Sequence, residues 1–431
     1  MDDTKKINPS RSLVGEIFIP GDKSISHRSV MFSSLGNKPV RITNFLNAQD
    51  CMSTVACMRS LGIEIEQIGP NELIVHGKGI HGLTEPENVI DAGNSGTTLR
   101  LMMGILAPQP FLSTFTGDAS LRKRPMGRVI KPLSQMGAKI IARQNSKYLP
   151  LTIDPVDKIT SIEYKMPMSS AQVKSAILLA GMYGDGETIV TEPYTSRDHT
   201  ERMLETFGVS LRKFGTSIGI KKVENFESPE SIEVPGDISS AAFWLVAASI
   251  IPNSNLTLKN VGINPTRTGI LDVLLSMGAD IHIVNERFSG KEPVADIIVK
   301  SANLKGVEFG AEIMPRLIDE IPVLTVAAMF AKGRTTITGA GELRVKETDR
   351  LNAITTEFNK FNHCITGTED GLIIEGPVKL EMIQGYSYHD HRIAMALAVA
   401  GAAGSGVSIE KASCVNISYP EFYATLDEIG K

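Results

Sequence analysis

The chain has 431 residues, 42% of them hydrophobic and 21% charged, with a formal net charge of -4. That length exceeds what one hydrophobic core organises, so two or more domains are expected. A mildly acidic balance without long charged runs argues against nucleic acid or an anionic membrane as partner, because those leave concentrated basic patches.

The opening Met1-Asp2-Asp3-Thr4-Lys5-Lys6 has no apolar stretch behind its charges and reads as lacking a signal peptide. Next, Ile19-Pro20-Gly21-Asp22-Lys23-Ser24 looks like a strand end, a Pro-Gly turn and a Ser N-cap. The predicted helix that follows places Ile25, Met31, Phe32 and Leu35 near one face and leaves Lys23, Ser24 and Arg28 near its N-terminus. Such an end suits phosphate; taken singly it also fits a solvated helix face.

A helix running through glycine into a short apolar strand is first seen at Met58–Ile65. It returns at Leu133–Ile140, Leu204–Leu211 and Leu274–Ile281, then with Asn362 in the glycine's place, and finally at Leu426–Gly430. The copies lie roughly 70 residues apart, beyond the ~20–50 residues of common solenoids, so each is a small βαβ-type module. The residue after a helix often turns left-handed, which Gly and then Asn adopt most cheaply. Because Val234-Pro235-Gly236-Asp237-Ile238-Ser239 repeats the first Pro-Gly turn, the six modules fall into two sets of three.

Gly77-Lys78-Gly79-Ile80-His81-Gly82 matches GxGxxG after the strand-like Glu72–Val75, but Pro86 stands where the required helix would run, so a plain turn is preferred. Asp91–Arg100 is a glycine-punctuated loop whose backbone N–H groups suit an anion. Basic turns follow at Arg122–Pro125, Ser196–His199, Arg344–Arg350 and His391-Arg392; Lys346 and Arg350 are one turn apart if helical. Together these turns suit substrates with several anionic groups. Ala241–Ile251 and Ile393–Ala403 are too short to span a membrane, which takes ~20 residues, and read as helices buried on all sides. His389-Asp390-His391 suits a metal, or equally an N-capping Asp. Cys51, Cys57, Cys364 and Cys414 show no zinc or redox spacing, and a reduced cytoplasmic protein is expected.

Eight ordered motifs, PGDKSISHR, DAGNSGTTLR, KRPMGRV, MSSAQVKSA, SRDHTER, LIDEIP, RVKETDR and DHRIAMA, resemble the enolpyruvyl transferases across nearly the whole chain. The likeness is closest to the branch whose acceptor is shikimate 3-phosphate. It implies an α/β fold, a two-domain inside-out α/β barrel with three βαβαββ units per domain about a pseudo-threefold axis. The domains would be residues 21–235 and residues 1–20 plus 236–431, with the N-terminal strand crossing into the second and the active site in the cleft between them.

The implied reaction, a step of chorismate and aromatic amino acid biosynthesis, transfers the enolpyruvyl group of phosphoenolpyruvate to the 5-hydroxyl of shikimate 3-phosphate. Phosphate leaves by addition–elimination through a tetrahedral intermediate. Shikimate 3-phosphate would meet Lys23, Ser24, Arg28, Ser170, Gln172, Arg197, Asp319 and Lys346. Phosphoenolpyruvate would meet Lys23, Gly96, Arg124, Gln172, Arg350 and Arg392. The resemblance makes Asp319 and Glu347 the acid–base pair; the reaction asks for a base at the hydroxyl, assigned to Asp319, and an acid at the methylene carbon, assigned to Glu347, with Lys23 the other donor. No metal, cofactor, nucleic acid or membrane is implied, and a monomer is expected.

Two departures stand out: Ile417-Ser418 precedes Tyr419-Pro420 where many members carry a Lys, and Leu101 replaces a common proline. The sibling acting on UDP-N-acetylglucosamine typically has a cysteine in the loop before its RP motif, and Phe111–Arg124 has none. A non-catalytic repeat scaffold would not need the acidic and basic residues of LIDE and KETDR.

Overall fold

In the computed structural model, which describes residues 3–430, Gly62, Gly137, Gly208 and Gly278 all end helices at positive φ, from 80° to 95°. The other two repeat ends depart from this rule. The Arg350–Phe358 helix stops short of Asn362, which is not left-handed, and a turn leads instead to the Ile365–Gly367 strand. Gly430 has φ -74° and forms a bridge with Leu13. Asn362 therefore does not stand in for a left-handed glycine.

The chain divides into two units: Gly21–Val234 with Ser289–Glu292, and the remaining described residues through Pro20, Pro235–Phe288 and from Pro293 onward. Each unit holds three mixed sheets. In the first unit the strand orders are Ser231–Glu233, Pro39–Thr43, Glu72–His76, Glu64–Gly69; then Ile90–Asp91, Ser113–Thr116, Tyr148–Asp154, Lys139–Ala142; then Glu163–Lys165, Glu187–Thr191, Ser217–Lys221, Leu211–Phe214. Each sheet has one parallel pairing, such as Ile232↔Ile42, and two antiparallel ones, such as Val40↔Val75 and Ile65↔Val75. Alternate residues, Val40 and Ile42 then Leu73 and Val75, point into the core.

The second unit repeats the plan with two four-stranded sheets and one three-stranded sheet. Both N-terminal strands belong to it: Thr4–Ile7 pairs antiparallel with Val407–Glu410, and Val14–Phe18 runs parallel to Asn255–Gly262.

Inside each unit lie three helices without a solvent face, Lys23–Leu35, Gly96–Leu106 and Ala171–Gly181 in the first, Ile238–Ile250, Ile321–Phe330 and His391–Ala403 in the second. The first of these corrects the amphipathic expectation: every residue from Ile25 to Leu35 is buried. Two of its hydroxyls find partners inside the helix, Ser29 Oγ donating to Ser26 O at 2.9 Å and Ser34 Oγ to Val30 O at 2.7 Å, while Ser26 Oγ accepts from Leu46 N at 3.1 Å. The N-caps are likewise Asp22 and Asp237, not Ser24 and Ser239: their carboxylates accept from Ile25 N and Ser239 N, both at 2.9 Å. An acidic cap satisfies an orphan N–H and complements the helix dipole. No helix follows Gly77–Gly82, in keeping with a plain turn. Among the described residues no helix is long and apolar enough to cross a membrane.

Candidate functional site

In the first unit the N-terminal ends of the three buried helices are tied together. Gln172, at the start of Ala171–Gly181, accepts from Arg100 Nη1 at 2.6 Å and donates to Thr97 Oγ1 at 2.9 Å. Ser95 caps the Gly96–Leu106 helix, and a Cβ on Gly96 would lie 2.8 Å from Arg100 Nη1 and 3.5 Å from Arg124 Nη1. Arg124 Nη2 donates to Asn94 Oδ1 at 2.8 Å. Gly96, Arg124 and Gln172 are thus brought together around Arg100, with helix N-termini adding partial positive charge.

Lys23 opens its helix and pairs with Asp50 at 3.1 Å, both side chains largely covered. Arg28 differs from expectation, being buried and fully engaged: Nε donates to Thr200 Oγ1 at 2.7 Å, Nη1 to Ser24 O at 2.9 Å and Nη2 to Ser175 Oγ at 3.0 Å. Burial draws its pKa down to about 10 against the opposing pull of Glu201 and Asp22. Ser170 caps the Ala171–Gly181 helix weakly, accepting from Val173 N at 3.5 Å.

Beneath these ends runs a buried chain of hydrogen bonds: His27 Nδ1 to Thr54 Oγ1 at 2.7 Å, Thr54 to Thr98 at 2.6 Å, and Thr98 to Ser95 at 2.8 Å. Burial, then the charges of Lys23 and Arg28, hold His27 well below its usual pKa, so it is neutral. Arg197 lies partly exposed on a turn fixed from within, where buried Lys174 pairs with Glu192 and Glu201, both at 2.8 Å, and Ser196 N donates to Glu192 Oε2 at 3.1 Å.

The second unit gathers Asp319, Lys346, Glu347, Arg350 and Arg392. Asp319 lies in the Ile318–Glu320 turn just before the buried Ile321–Phe330 helix, and its Oδ1 is 3.4 Å from both Lys346 Nζ and Arg350 Nη1. Arg350 Nη2 pairs with Glu347 Oε2 at 2.7 Å, and Nε with Asp390 Oδ2 at 2.7 Å. Burial alone would lower the Arg350 pKa, but Asp390, Glu347 and Asp319 more than offset it and hold it above the usual range.

Arg392 donates to Asp319 O at 2.9 Å and lies 3.5 Å from Glu320 Oε1. Lys346 and Arg350 do not share a helical turn: a 3-10 turn ends at Val345, Lys346 is extended, and the helix begins at Arg350. Where the resemblance suggests a Lys, Ile417 packs against the core.

Asp390 is a member of this cluster that the sequence placed only as an N-cap. It does cap the His391–Ala403 helix, accepting from Arg392 N at 2.9 Å, and it also grips Arg350. Arg100, Asp50 and Lys174 were missed as well. The one sequence signal for the last is a lysine inside the apolar run of the Ala171–Gly181 helix.

The fold is shared with the enolpyruvyl transferase NikO from Streptomyces tendae, which matches with a TM-score of 0.79 at 16% identity, covering 99% of this chain and 97% of that one. The particular family follows from sequence. The family model for EPSP synthase (3-phosphoshikimate 1-carboxyvinyltransferase) matches residues 7–426, and the chain belongs to that family. Its relatives include the 3-phosphoshikimate 1-carboxyvinyltransferase of Thermoanaerobacter sp. (strain X514), 53% identical over 98% of this chain and 99% of the relative. The same-named protein of Desulforudis audaxviator (strain MP104C) is 52% identical over 99% of each. The structure of EPSP synthase from Acinetobacter baumannii matches with a TM-score of 0.89 at 43% identity, covering 99% of this chain and 98% of that chain.

Proposed function

We propose that this chain transfers the enolpyruvyl group of phosphoenolpyruvate to the 5-hydroxyl of shikimate 3-phosphate, releasing phosphate. The observation that carries this reading is the Asp319 cluster, where a carboxylate flanked by Lys346 and Arg350 has a second carboxylate, Glu347, on the same arginine. In one place it offers a base for a hydroxyl, a candidate acid and cations for anionic groups.

Asp319 takes the proton of the 5-hydroxyl as oxygen attacks C2 of phosphoenolpyruvate. Glu347 or Lys23 delivers a proton to C3, giving a tetrahedral intermediate with a methyl group. Loss of a methyl proton and departure of phosphate then restore the vinyl group. Lys23, Gly96, Arg124, Gln172, Arg350 and Arg392 hold phosphoenolpyruvate. Lys23, Ser24, Ser170, Gln172, Arg197, Asp319 and Lys346 hold the acceptor, with Arg28 acting through Ser24, whose carbonyl it fixes. In this reading the enzyme works as a cytoplasmic monomer, and the second carboxylate on Arg350 gives metal-free acid–base chemistry its groups.

The test is a turnover in D₂O. Because the methyl group rotates before it loses a hydrogen, solvent deuterium is expected in the vinyl group of the product. A deuterium-free product would exclude addition–elimination.

A further inference from the structure

We propose that Glu357 and Tyr388 are positioning residues that clamp the turn ahead of Arg392 and so aim the Arg392 guanidinium; this rests on Arg392 serving phosphoenolpyruvate. Arg350 and Glu357 are seven residues apart on the Arg350–Phe358 helix, two turns along one face. Both reach the Tyr386–Arg392 segment. Arg350 grips Asp390 through Nε at 2.7 Å and Nη2 at 3.2 Å. Buried Glu357 accepts from Tyr386 N at 2.8 Å with Oε2 and from the Tyr388 hydroxyl at 3.0 Å with Oε1, and Lys360 Nζ lies 2.6 Å from its Oε2.

Between these two grips the backbone is strained. Tyr388 and His389 have φ of 56° and 57°, a region that residues with a Cβ occupy only when their surroundings impose it. Ser387 steadies the turn locally, its carbonyl accepting from Asp390 N at 2.9 Å and its hydroxyl from His389 N at 3.2 Å. The Tyr388 side chain, by contrast, is tied to the neighbouring helix, its hydroxyl donating to Glu357. The turn feeds directly into Asp390, which caps the last buried helix, and Arg392, which donates to Asp319 O at 2.9 Å. A relaxed turn would shift both while the helix behind them stays packed.

The experiment is steady-state kinetics of Tyr388→Phe, which removes one hydroxyl and leaves the ring, with both substrates varied. KM for phosphoenolpyruvate is expected to rise about tenfold, the scale of one lost hydrogen bond to a charged group, with little change in KM for shikimate 3-phosphate. Adding His389→Gly should restore the first KM, because glycine adopts the left-handed turn without strain. An unchanged phosphoenolpyruvate KM, an equal rise in both KM values, or failure of the glycine rescue would overturn the clamp. If the wild type releases no phosphate from phosphoenolpyruvate, the functional reading fails, and the clamp is judged by amide hydrogen exchange at 390–392. Faster exchange in Tyr388→Phe supports it, and unchanged exchange overturns it.

Discussion

Asp319 and Glu347 occupy unequal positions around Arg350. Asp319 is also close to Lys346, so it is the better placed to hold a substrate oxygen. Glu347 is paired with Arg350 at 2.7 Å, which works against proton donation until an anionic ligand engages that arginine. Asp319→Ala and Glu347→Gln are both expected to keep substrate binding and to lower turnover by roughly 10²–10⁴-fold, measured by phosphate release. A near-normal rate in Glu347→Gln would transfer the donor role to Lys23. Gly96→Ala tests the other unit. The added methyl would meet the side-chain end of Arg100 and no backbone, so the fold should survive while KM for phosphoenolpyruvate rises by roughly 10–100-fold.

At this scale the sequence reveals which residues are unusual in kind and place, such as Lys23 at a helix start or Arg350 in a basic turn. It hides what long-range partners do to them. Arg28 looks like another surface cation, yet its partners Ser175 and Thr200 lie far along the chain and draw it inside. Asp390 looks complete as a cap, and only the structure brings Arg350 to it.

Among the elements, the glycine-ended helices were legible because their signal is local: a left-handed turn at Gly62, Gly137, Gly208 and Gly278 is a property of the residue itself. Caps were less legible, since Asp22 and Ser24 are both good caps and only backbone position decides between them. That choice separates two variants. Asp22→Ala should cost about 1 kcal/mol of stability in denaturant unfolding, whereas Ser24→Ala should leave stability nearly unchanged and raise KM for shikimate 3-phosphate. Equal destabilisation by both would contradict the assignment of Asp22 as cap. The Lys23–Leu35 helix misled for a different reason. Its apolar residues read as one face of an amphipathic helix, but the hydroxyls of Ser29 and Ser34 bond back to the helix's own carbonyls, which helps full burial.

For the whole molecule, the repeat period and the apolar runs around Ala241 and Ile393 were enough to foresee α/β modules around buried helices. Which strands pair was not, because pairings such as Thr4–Ile7 with Val407–Glu410 join the two ends of the chain. The neutral, buried His27 gives the protein a pH dependence. Its folded pKa lies below 6.5, so the unfolded chain takes up the proton first on acidification, and the stability His27 contributes is present above about pH 6.5 and lost below it. Thermal unfolding between about pH 7 and about pH 5 should therefore show a falling Tm, with a shallower slope in His27→Gln.

Activity should also survive exhaustive chelation, and a strict requirement for Mg²⁺ would mean that Asp319 or Glu347 had been given the wrong role. The most direct measurement is inorganic phosphate released from phosphoenolpyruvate with each acceptor in turn. Release with shikimate 3-phosphate, accompanied by its enolpyruvyl product, is the expected result, and release only with UDP-N-acetylglucosamine, or with neither, would contradict it.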